Sequence, residues 1–214
     1  MTTFDLQKKI HDSMRKYLQI GMTENDAKNI ARSVIPTVCG DIISGTRTAD
    51  IEGDATDRVM EKGELLLLDL QVNLEGAWSD LTRVYFMGQP SDEKVLVYNQ
   101  VISALDAGEK LLKPEARACD IYHAMRKAIG TEFAFTHHGG HRIGEQDSVA
   151  EPRFIPECGD TLKEGMIVTL EPAVYIPKKI GIRLENNYRI TKDGFIRLDG
   201  LSLDINDYII ERTI

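Results

Sequence analysis

The stretch Glu64-Leu-Leu-Leu-Leu-Asp69-Leu-Gln-Val72 runs into Asn73-Leu-Glu-Gly76 and then into Ala77-Trp-Ser-Asp80-Leu-Thr-Arg-Val-Tyr-Phe86. The outer segments are apolar runs of strand length, and the segment between them has the composition of a turn. They predict a pair of antiparallel strands. If the turn holds the four residues 73–76, Val72 lies opposite Ala77, and counting back along the ladder places Asp69 directly opposite Asp80.

Two aspartates that face each other in an apolar sheet require an explanation. Directly opposed residues have Cβ atoms about 4.5–5.5 Å apart, and like charges at that distance repel. A divalent cation between the two carboxylates turns the repulsion into ligation. The alternative is a register slip that turns one aspartate towards solvent.

A second pair of carboxylates follows the same plan. Residues 166–171 and 181–190 have strand patterns, and a turn at Pro177–Lys179 would place Glu171 opposite Glu185. Taken alone, two glutamates this far apart are more often surface residues. Beside the aspartate pair, they instead predict a shared cluster of acids.

His141 is the candidate nitrogen ligand. It follows Phe133-Ala-Phe-Thr-His-His-Gly-Gly140, an apolar strand pattern that ends in two glycines. These glycines permit close backbone approach just before the histidine. A lone histidine near a core is more often a hydrogen-bonded structural residue, but His141 completes a set that suits a pair of hard divalent cations.

These segments resemble the motifs of the pita-bread (M24) metallopeptidase family, which includes methionine aminopeptidases, aminopeptidase P, prolidase and the metal-free creatinase. The matching segments are Asp69 with Ser79–Arg83, Gly140–Gly144, Leu170–Pro172 and Gly181–Glu185. The resemblance extends from about Gly21 to Leu198, and the short gap between Glu171 and Glu185 is similar to that of the prolidase and creatinase-like branch.

The resemblance implies an α+β pita-bread fold, in which antiparallel sheets with pseudo-twofold symmetry are flanked by helices. We expect residues 1–214 to form one catalytic domain, without the separate N-terminal domain that is common in this branch.

The resemblance also implies a dinuclear metal site. Asp69 would bind one metal ion, and Asp80 and Glu185 would bridge both. His141 and Glu171 would bind the second ion. A hydroxide bridging the ions would be the nucleophile, and Glu171 would carry its proton. Such an oxygen-rich set suits Mn²⁺, Co²⁺ or Fe²⁺ at least as well as Zn²⁺.

Two histidines that bind substrate in the proline-specific members of this family are absent here. With the register set by Thr56-Asp57-Arg58, Glu52 occupies the position of the first, and no histidine follows His141. An ionised glutamate cannot donate a hydrogen bond to an oxyanion, whereas a neutral imidazole can. We expect Glu52 to attract a substrate cation such as an amine or amidinium; the alternative is a solvated loop acid.

His137 and His138 are the candidates for the missing donor, because both lie beside His141. If their segment is a strand, alternation turns one of them into the site. We assign His138 to catalysis and His137 to substrate binding. Arg142 replaces the usual glycine of the motif, and it would pair either with a substrate carboxylate or with a neighbouring acid.

The composition of the chain limits the kinds of molecule that it is expected to bind. The chain has 214 residues and a formal net charge of −8, which argues against nucleic acid and anionic membranes. No apolar run approaches the roughly 20 residues that span a bilayer, and the three cysteines form no disulfide framework, which favours a cytoplasmic location. The expected partners are a small peptide or small C–N metabolite and, in a homodimer, a second copy of the chain.

Helical periodicity and capping signals predict four helices. They cover Phe4–Leu18, the segment from Thr23 to Val34, the segment from Ser91 to about Leu112, and Asp120–Ile129.

Three functions remain open from the sequence. The first is a metal-dependent dipeptidase or aminopeptidase of the Xaa-Pro type, and the complete set of five ligands favours it. The second is a creatinase-like hydrolase of a non-peptide C–N bond, which Glu52 would suit. The third is a non-catalytic metal-binding pseudo-peptidase, which the missing histidines would permit.

Overall fold

The computed structural model describes residues 1–131, 133 and 135–214. This part of the chain contains four α-helices, and all four lie where the sequence predicts helices. Their bounds are α1 Thr3–Tyr17, α2 Glu24–Val34, α3 Asp92–Glu109 and α4 Ala118–Ile129. None of these helices is both long and apolar enough to cross a membrane.

The strands of the described residues form three sheets. Strands β1 to β6 are Cys39–Ser44, Leu65–Leu74, Ala77–Met87, His141–Arg142, Ala150–Arg153 and Ile167–Leu170. Strands β7 to β11 are Ala173–Ile176, Ile180–Arg183, Asn186–Thr191, Gly194–Arg197 and Ile209–Ile210. The sheet orders are β1-β2-β3-β11, β10-β9-β6-β4-β5 and β7-β8, and all pairs are antiparallel except β3–β11.

Helices cover the two halves of this arrangement separately. Helices α1 and α2 pack on the first sheet, whereas α3 packs on β6, β7 and β8 and also on α4. The leucines Leu65–Leu68 are all buried, which explains why β2 is a continuous apolar run rather than an alternating one. Asp69 therefore follows a segment that is buried on both faces.

The register of the β2–β3 hairpin differs from the predicted one. The turn contains only Glu75 and Gly76, which have φ angles of 53° and 89°, so Leu74 pairs with Ala77. Positive φ at both central residues matches the twist of the flanking strands and favours a two-residue turn. Asp69 consequently pairs with Thr82, and Asp80 pairs with Gln71.

This correction leaves the two aspartates on one face. A register shift of two residues preserves the face of every side chain, whereas a shift of one would reverse it. Asp80 is therefore the diagonal neighbour of Asp69 across the hairpin, and it is not directly opposite. Long or charged side chains still interact at diagonal positions.

The glutamate pair lies where the chain passes from one sheet to another. Leu170 pairs with Asn186 in the five-stranded sheet, and Ala173 pairs with Arg183 in the β7–β8 pair. The three-residue turn Pro177–Lys179 joins β7 to β8, as predicted. The pairing of 170 with 186 and the pairing of 173 with 183 belong to the same register, although two different sheets contain them. Glu171 and Glu185 therefore face each other at the break between these two sheets.

The segment before His141 differs from the expected strand. Within 133–140 the structure describes Phe133 and 135–140, and no strand occurs there; Ala134 lies outside the described residues. The strand β4 begins only at His141. Gly140 has φ of 148°, and a Cβ there would lie 2.2 Å from the Thr169 carbonyl oxygen, so close packing against β6 replaces strand pairing.

The contact between β8 and the 3₁₀ helix Gly45–Asp50 gives a test of this architecture. A Cβ on Gly181 would lie 1.9 Å from the Thr48 carbonyl oxygen, so we expect Gly181→Ala to lower the free energy of unfolding by about 1–3 kcal/mol. Gly194→Ala is the matched control, because a Cβ there meets nothing within 4 Å. Urea denaturation of both variants measures the difference, and equal stability would contradict the packing described here.

Candidate metal centre

A cavity of about 200 Å³ lies between the β2–β3 hairpin and the break that carries the glutamate pair. All five predicted metal ligands line it. The complete lining is Asp41, Ile51, Glu52, Asp69, Gln71, Asp80, His137, His138, His141, Val149, Glu171, Arg183 and Glu185. The five residues predicted as metal ligands thus lie together, although the predicted pairing of Asp69 with Asp80 is wrong.

The imidazole of His141 is surrounded by carboxylates. Its Nε2 atom lies 3.4 Å from Glu171 Oε1, 3.8 Å from Asp80 Oδ2 and 4.0 Å from Glu185 Oε1. Its Nδ1 atom lies 3.2 Å from the Arg142 carbonyl oxygen. A proton assigned to Nδ1 is donated to that carbonyl and leaves the Nε2 lone pair directed at the acids, as in metal-binding histidines.

Each of the four acids has a buried oxygen without a hydrogen-bond partner. These atoms are Asp69 Oδ1, Asp80 Oδ1, Glu171 Oε1 and Glu185 Oε1. Buried polar atoms in proteins are nearly always satisfied, and an unpaired buried carboxylate is costly. Unpartnered acceptors converging on one cavity fit divalent cations, which accept several oxygen ligands. Asp80, His141 and Glu185 already have ligand atoms within 4.8 Å of one another.

The acids influence one another strongly. Burial, together with the Asp69 and Glu171 carboxylates, raises the pKa of Asp80 well above its ordinary value. Burial, Asp80 and Glu171 likewise raise the pKa of Glu185. Without cations, these two acids therefore favour the protonated state, and a metal ion must displace their protons.

Glu171 has the opposite tendency. Burial acts to raise its pKa, but the neighbouring imidazoles of His138, His141 and His137 lower it to about 2. His138 Nδ1 lies 3.2 Å from Glu171 Oε1. Burial favours the neutral form of His138, but the Glu171 carboxylate outweighs it and raises the pKa of His138 above its ordinary value. Glu171 therefore stays ionised beside a proton donor.

Both His137 and His138 line the cavity, although strand alternation predicted only one of them there. The two side chains can converge because their segment has no strand pairing. His137 Nδ1 donates to the His138 carbonyl oxygen, which leaves Nε2 buried and unpartnered. His137, His138 and Glu171 form a second group with the spacing of metal ligands.

Arg183 is a site residue that the sequence analysis did not identify. It is buried, and its Nη2 donates to Asp69 Oδ2 at 2.5 Å. Its Nη1 donates to the Tyr175 hydroxyl at 2.6 Å and to the Ile51 carbonyl at 3.1 Å. The available signal was its position two residues before Glu185, which puts both side chains on one face of β8 and its continuation.

A second buried arginine fixes the backbone of the ligands. Arg83 donates to the Glu185 carbonyl oxygen at 2.5 Å and, through Nε, to the Tyr208 hydroxyl at 3.1 Å. Asn187 Nδ2 donates to the Asp80 carbonyl oxygen at 2.6 Å. The positions of Asp80 and Glu185 are thus set by hydrogen bonds from outside the cavity.

The two remaining candidates for substrate binding, Glu52 and Arg142, differ in their positions. Glu52 is exposed at the mouth of the cavity, as a substrate contact requires. Arg142 does not line this cavity: its Nε donates to the Glu151 carbonyl at 2.6 Å, because it follows His141 on β4 and points away. The prediction that Arg142 binds substrate in the metal cavity is therefore not supported by its position.

Comparisons with known proteins agree with the geometry. The family model described as Metallopeptidase family M24 matches residues 1–192. An Xaa-Pro dipeptidase from Pyrococcus horikoshii is 35% identical over 161 residues, which cover 73% of this chain and 45% of the relative. An uncharacterized peptidase from Bacillus subtilis is 35% identical over 158 residues, which cover 72% of this chain and 44% of the relative. The chain spans about half the length of the curated relatives it matches.

Solved structures share the fold over almost the whole chain. An X-Pro aminopeptidase from Thermotoga maritima has a TM-score of 0.88 at 26% identity, with 97% of this chain and 60% of that chain covered. A prolidase from Pyrococcus horikoshii has a TM-score of 0.89 at 28% identity, with 94% and 61% covered. These likenesses confirm the α+β pita-bread fold expected from the motifs.

The raised pKa of Glu185 leads to a prediction about the metal-free protein. The folded state holds this proton at a pH where the unfolded chain has released it, so this contribution to stability is lost as the pH rises through the folded pKa. Glu185→Gln should therefore stabilise metal-free protein, and more so at pH 8 than at pH 5, by up to about 1.4 kcal/mol per pH unit.

Differential scanning calorimetry of chelator-treated protein measures this difference. Glu157→Gln is the control, since Glu157 is exposed. Because the same histidines are present in parent and variant, their titration largely cancels in the comparison. A stability difference that does not change with pH would contradict the proposed proton on Glu185.

Proposed function

The chain belongs to metallopeptidase family M24, and we propose that it is a metal-dependent hydrolase of small Xaa-Pro-type peptides. The observation that supports this most directly is the set of unpartnered carboxylate oxygens beside Nε2 of His141. Buried anions at this density are costly unless cations compensate them. The peptide class is supported by similar proteins described as Xaa-Pro dipeptidase and X-Pro aminopeptidase.

Five residues would hold two divalent cations. They are Asp69, Asp80, His141, Glu171 and Glu185. Bound Mn²⁺, Co²⁺, Fe²⁺ or Zn²⁺ would acidify a water molecule and polarise the scissile carbonyl group. Arg183 occupies Oδ2 of Asp69 and leaves Oδ1 unpartnered, so it orients this carboxylate without consuming its capacity to bind a cation.

Glu171 and His138 would move the protons of the reaction. Glu171 accepts a proton from the attacking water, because its lowered pKa keeps it ionised at neutral pH. His138 lies 3.2 Å from the same carboxylate, and its raised pKa favours the protonated imidazole. We assign His138 the delivery of a proton to the departing amine, the role that a general acid plays in amide hydrolysis.

His137 and Glu52 would contact the substrate. His137 is packed against the ring of Tyr175, with ring centroids 5.4 Å apart, so its unpartnered Nε2 has a fixed direction. Glu52 carries its charge at the mouth. The substrate would be small, because the cavity measures only about 200 Å³.

A second candidate function follows from the acids at the mouth. Asp41 lines the cavity beside Glu52, and a pair of carboxylates would suit a small amidine or guanidine better than a dipeptide carboxylate. A non-peptide C–N hydrolase is therefore the alternative. A panel of Xaa-Pro peptides and small amidines, assayed with the metal-loaded protein, decides between the two substrate classes.

The metal assignment predicts the behaviour of Asp80→Asn. We expect this variant to bind fewer than two Mn²⁺ ions per chain and to lose at least a factor of about 10² in kcat, because it replaces one carboxylate oxygen that would hold the cations with an amide group. Inductively coupled plasma mass spectrometry and an Xaa-Pro hydrolysis assay measure both quantities. Asp193→Asn, at an exposed aspartate, should match the parent. Unchanged metal content and activity in Asp80→Asn would reject the assignment.

The proton-transfer assignment predicts a different pattern for His138→Gln. We expect kcat to fall by about 10²-fold or more, the metal content to stay unchanged, and the alkaline limb of the kcat–pH profile to disappear. Glutamine keeps a hydrogen-bond donor but cannot transfer a proton. His123→Gln, at an exposed histidine on α4, is the control. A full kcat with an unchanged pH profile would show that His138 is not the proton donor.

A further inference from the structure

The mouth of the metal cavity contains two carboxylates that the metal ions do not require. Asp41 lies directly opposite Asp69 in the β1–β2 ladder, and Glu52 lies in the segment that follows the 3₁₀ helix 45–50. Both side chains line the cavity. They extend the acidic surface of the metal site outward to the point where a substrate enters.

The backbone that presents Glu52 has an unusual conformation. Ile51 has φ of 72° and ψ of −52°, and the Glu52 N–H donates to the Asp50 carbonyl oxygen at 2.8 Å. This is a γ-turn with positive φ, which is rare and strained, and it is particularly unfavourable for a β-branched residue. Strain of this kind persists only where surrounding contacts enforce it.

Those contacts come from the metal cavity itself. Arg183 donates to the Ile51 carbonyl at 3.1 Å, and Asp41 Oδ1 accepts from the Gly53 N–H at 3.0 Å. The Gly53 carbonyl in turn accepts from the Ile42 N–H at 3.2 Å. The residues on both sides of Glu52 are therefore anchored, so its carboxylate is held at the mouth rather than on a free loop.

The cavity gives the acids at its mouth no cationic side chain of their own. Six carboxylates line it, and two divalent cations, Arg183 and a protonated His138 would together supply six positive charges. Arg183 already makes four hydrogen bonds, because it donates to Thr82 Oγ1 at 3.2 Å besides Asp69, Tyr175 and Ile51. Among the described residues, no other arginine and no lysine lines the cavity. A free carboxylate that ends beside Glu52 and Asp41 would therefore meet two further carboxylates.

The acids at the mouth adjoin the carboxylates assigned to the metal ions. Glu185 is 1% exposed, its Oε1 is unpartnered, and it lines the same cavity. The acids at the mouth thus continue a surface that already requires positive charge at its base. If Glu52 were only a solvated loop acid, it would need neither a place beside the acids of the metal cavity nor a strained turn to hold it there.

We propose that Glu52 and Asp41 select substrates whose end at the cavity mouth carries an amine, guanidinium or amidinium group, in preference to substrates that end there in a free carboxylate. This inference deepens the proposed function and rests on it for the identity of the reaction. Glu52 would determine which substrate charge is preferred, and the residues of the metal cavity would carry out the hydrolysis.

Matched substrates test the proposal in the Mn²⁺-loaded protein. We expect kcat/KM for Ala-Pro carrying a C-terminal 2-aminoethylamide, which ends in an ammonium group, to exceed that for Ala-Pro free acid by at least about 10-fold at low ionic strength, and the ratio to shrink as salt is added. Glu52→Gln should bring the ratio to within about 3-fold, and Glu52→Lys should reverse it. Glu157→Gln should leave the ratio at the parental value, because Glu157 is exposed and does not line the cavity.

A binding measurement separates failure of this inference from failure of the proposed function. Isothermal titration of the Mn²⁺-loaded protein with prolinamide and with proline should show tighter binding of prolinamide, and Glu52→Lys should abolish the preference. If no peptide is hydrolysed but prolinamide is preferred, the proposed function fails while the charge selection stands. Equal affinities, a preference for proline, or a ratio that Glu52→Gln does not change would overturn the inference. Metal content equal to the parent's confirms that each variant keeps an intact site.

Discussion

The structure depends on placing three buried acids, Asp80, Glu171 and Glu185, and the partly buried Asp69 around one imidazole. At separations of a few ångströms, unit charges interact by about 4 kcal/mol even at an effective dielectric constant near 20, so such a cluster opposes folding unless something compensates it. In the described residues, Arg183 compensates only Asp69. Burial, together with the remaining repulsion between the carboxylates, raises the pKa values of Asp80 and Glu185. Cations bound at this cluster would therefore stabilise the fold as well as supply the proposed chemistry.

The two halves of the fold meet at this cluster through polar contacts. Thr82 on β3 donates its hydroxyl hydrogen to Glu185 Oε2 at 3.0 Å and accepts from Arg183 Nε at 3.2 Å. Arg83, the next residue, donates to the Glu185 carbonyl. Two adjacent residues of β3 thus orient the side chain and the backbone of Glu185, which lies between β8 and β9. Buried arginines of this kind restrict how the two sheets can dock, because a misplaced sheet would leave a guanidinium unpaired.

Much of this arrangement could be predicted from the sequence. Strands, helices and the ligand set follow from apolar patterns and motifs, because Asp69, Asp80 and Glu185 interrupt otherwise apolar segments. The hairpin register could not be counted correctly, since either a four-residue or a two-residue turn fits Asn73–Gly76. Periodicity also could not show that 135–140 leaves the sheet, because the close contact of Gly140 with Thr169 is a tertiary effect.

The mouth of the cavity was the least predictable part, and its construction explains why. Its position depends on Glu24, a fully buried acid at the start of α2 that accepts hydrogen bonds from Ser44 and Thr56 on both sides of the loop. No local pattern links these segments, and the γ-turn at Ile51 opposes the backbone preference of isoleucine. The metal ligands need a fixed geometry to share cations, whereas residues at the mouth need only a suitable charge. In the proposed scheme, a change of charge at position 52 would therefore alter the preferred substrate and leave the candidate metal ligands in place.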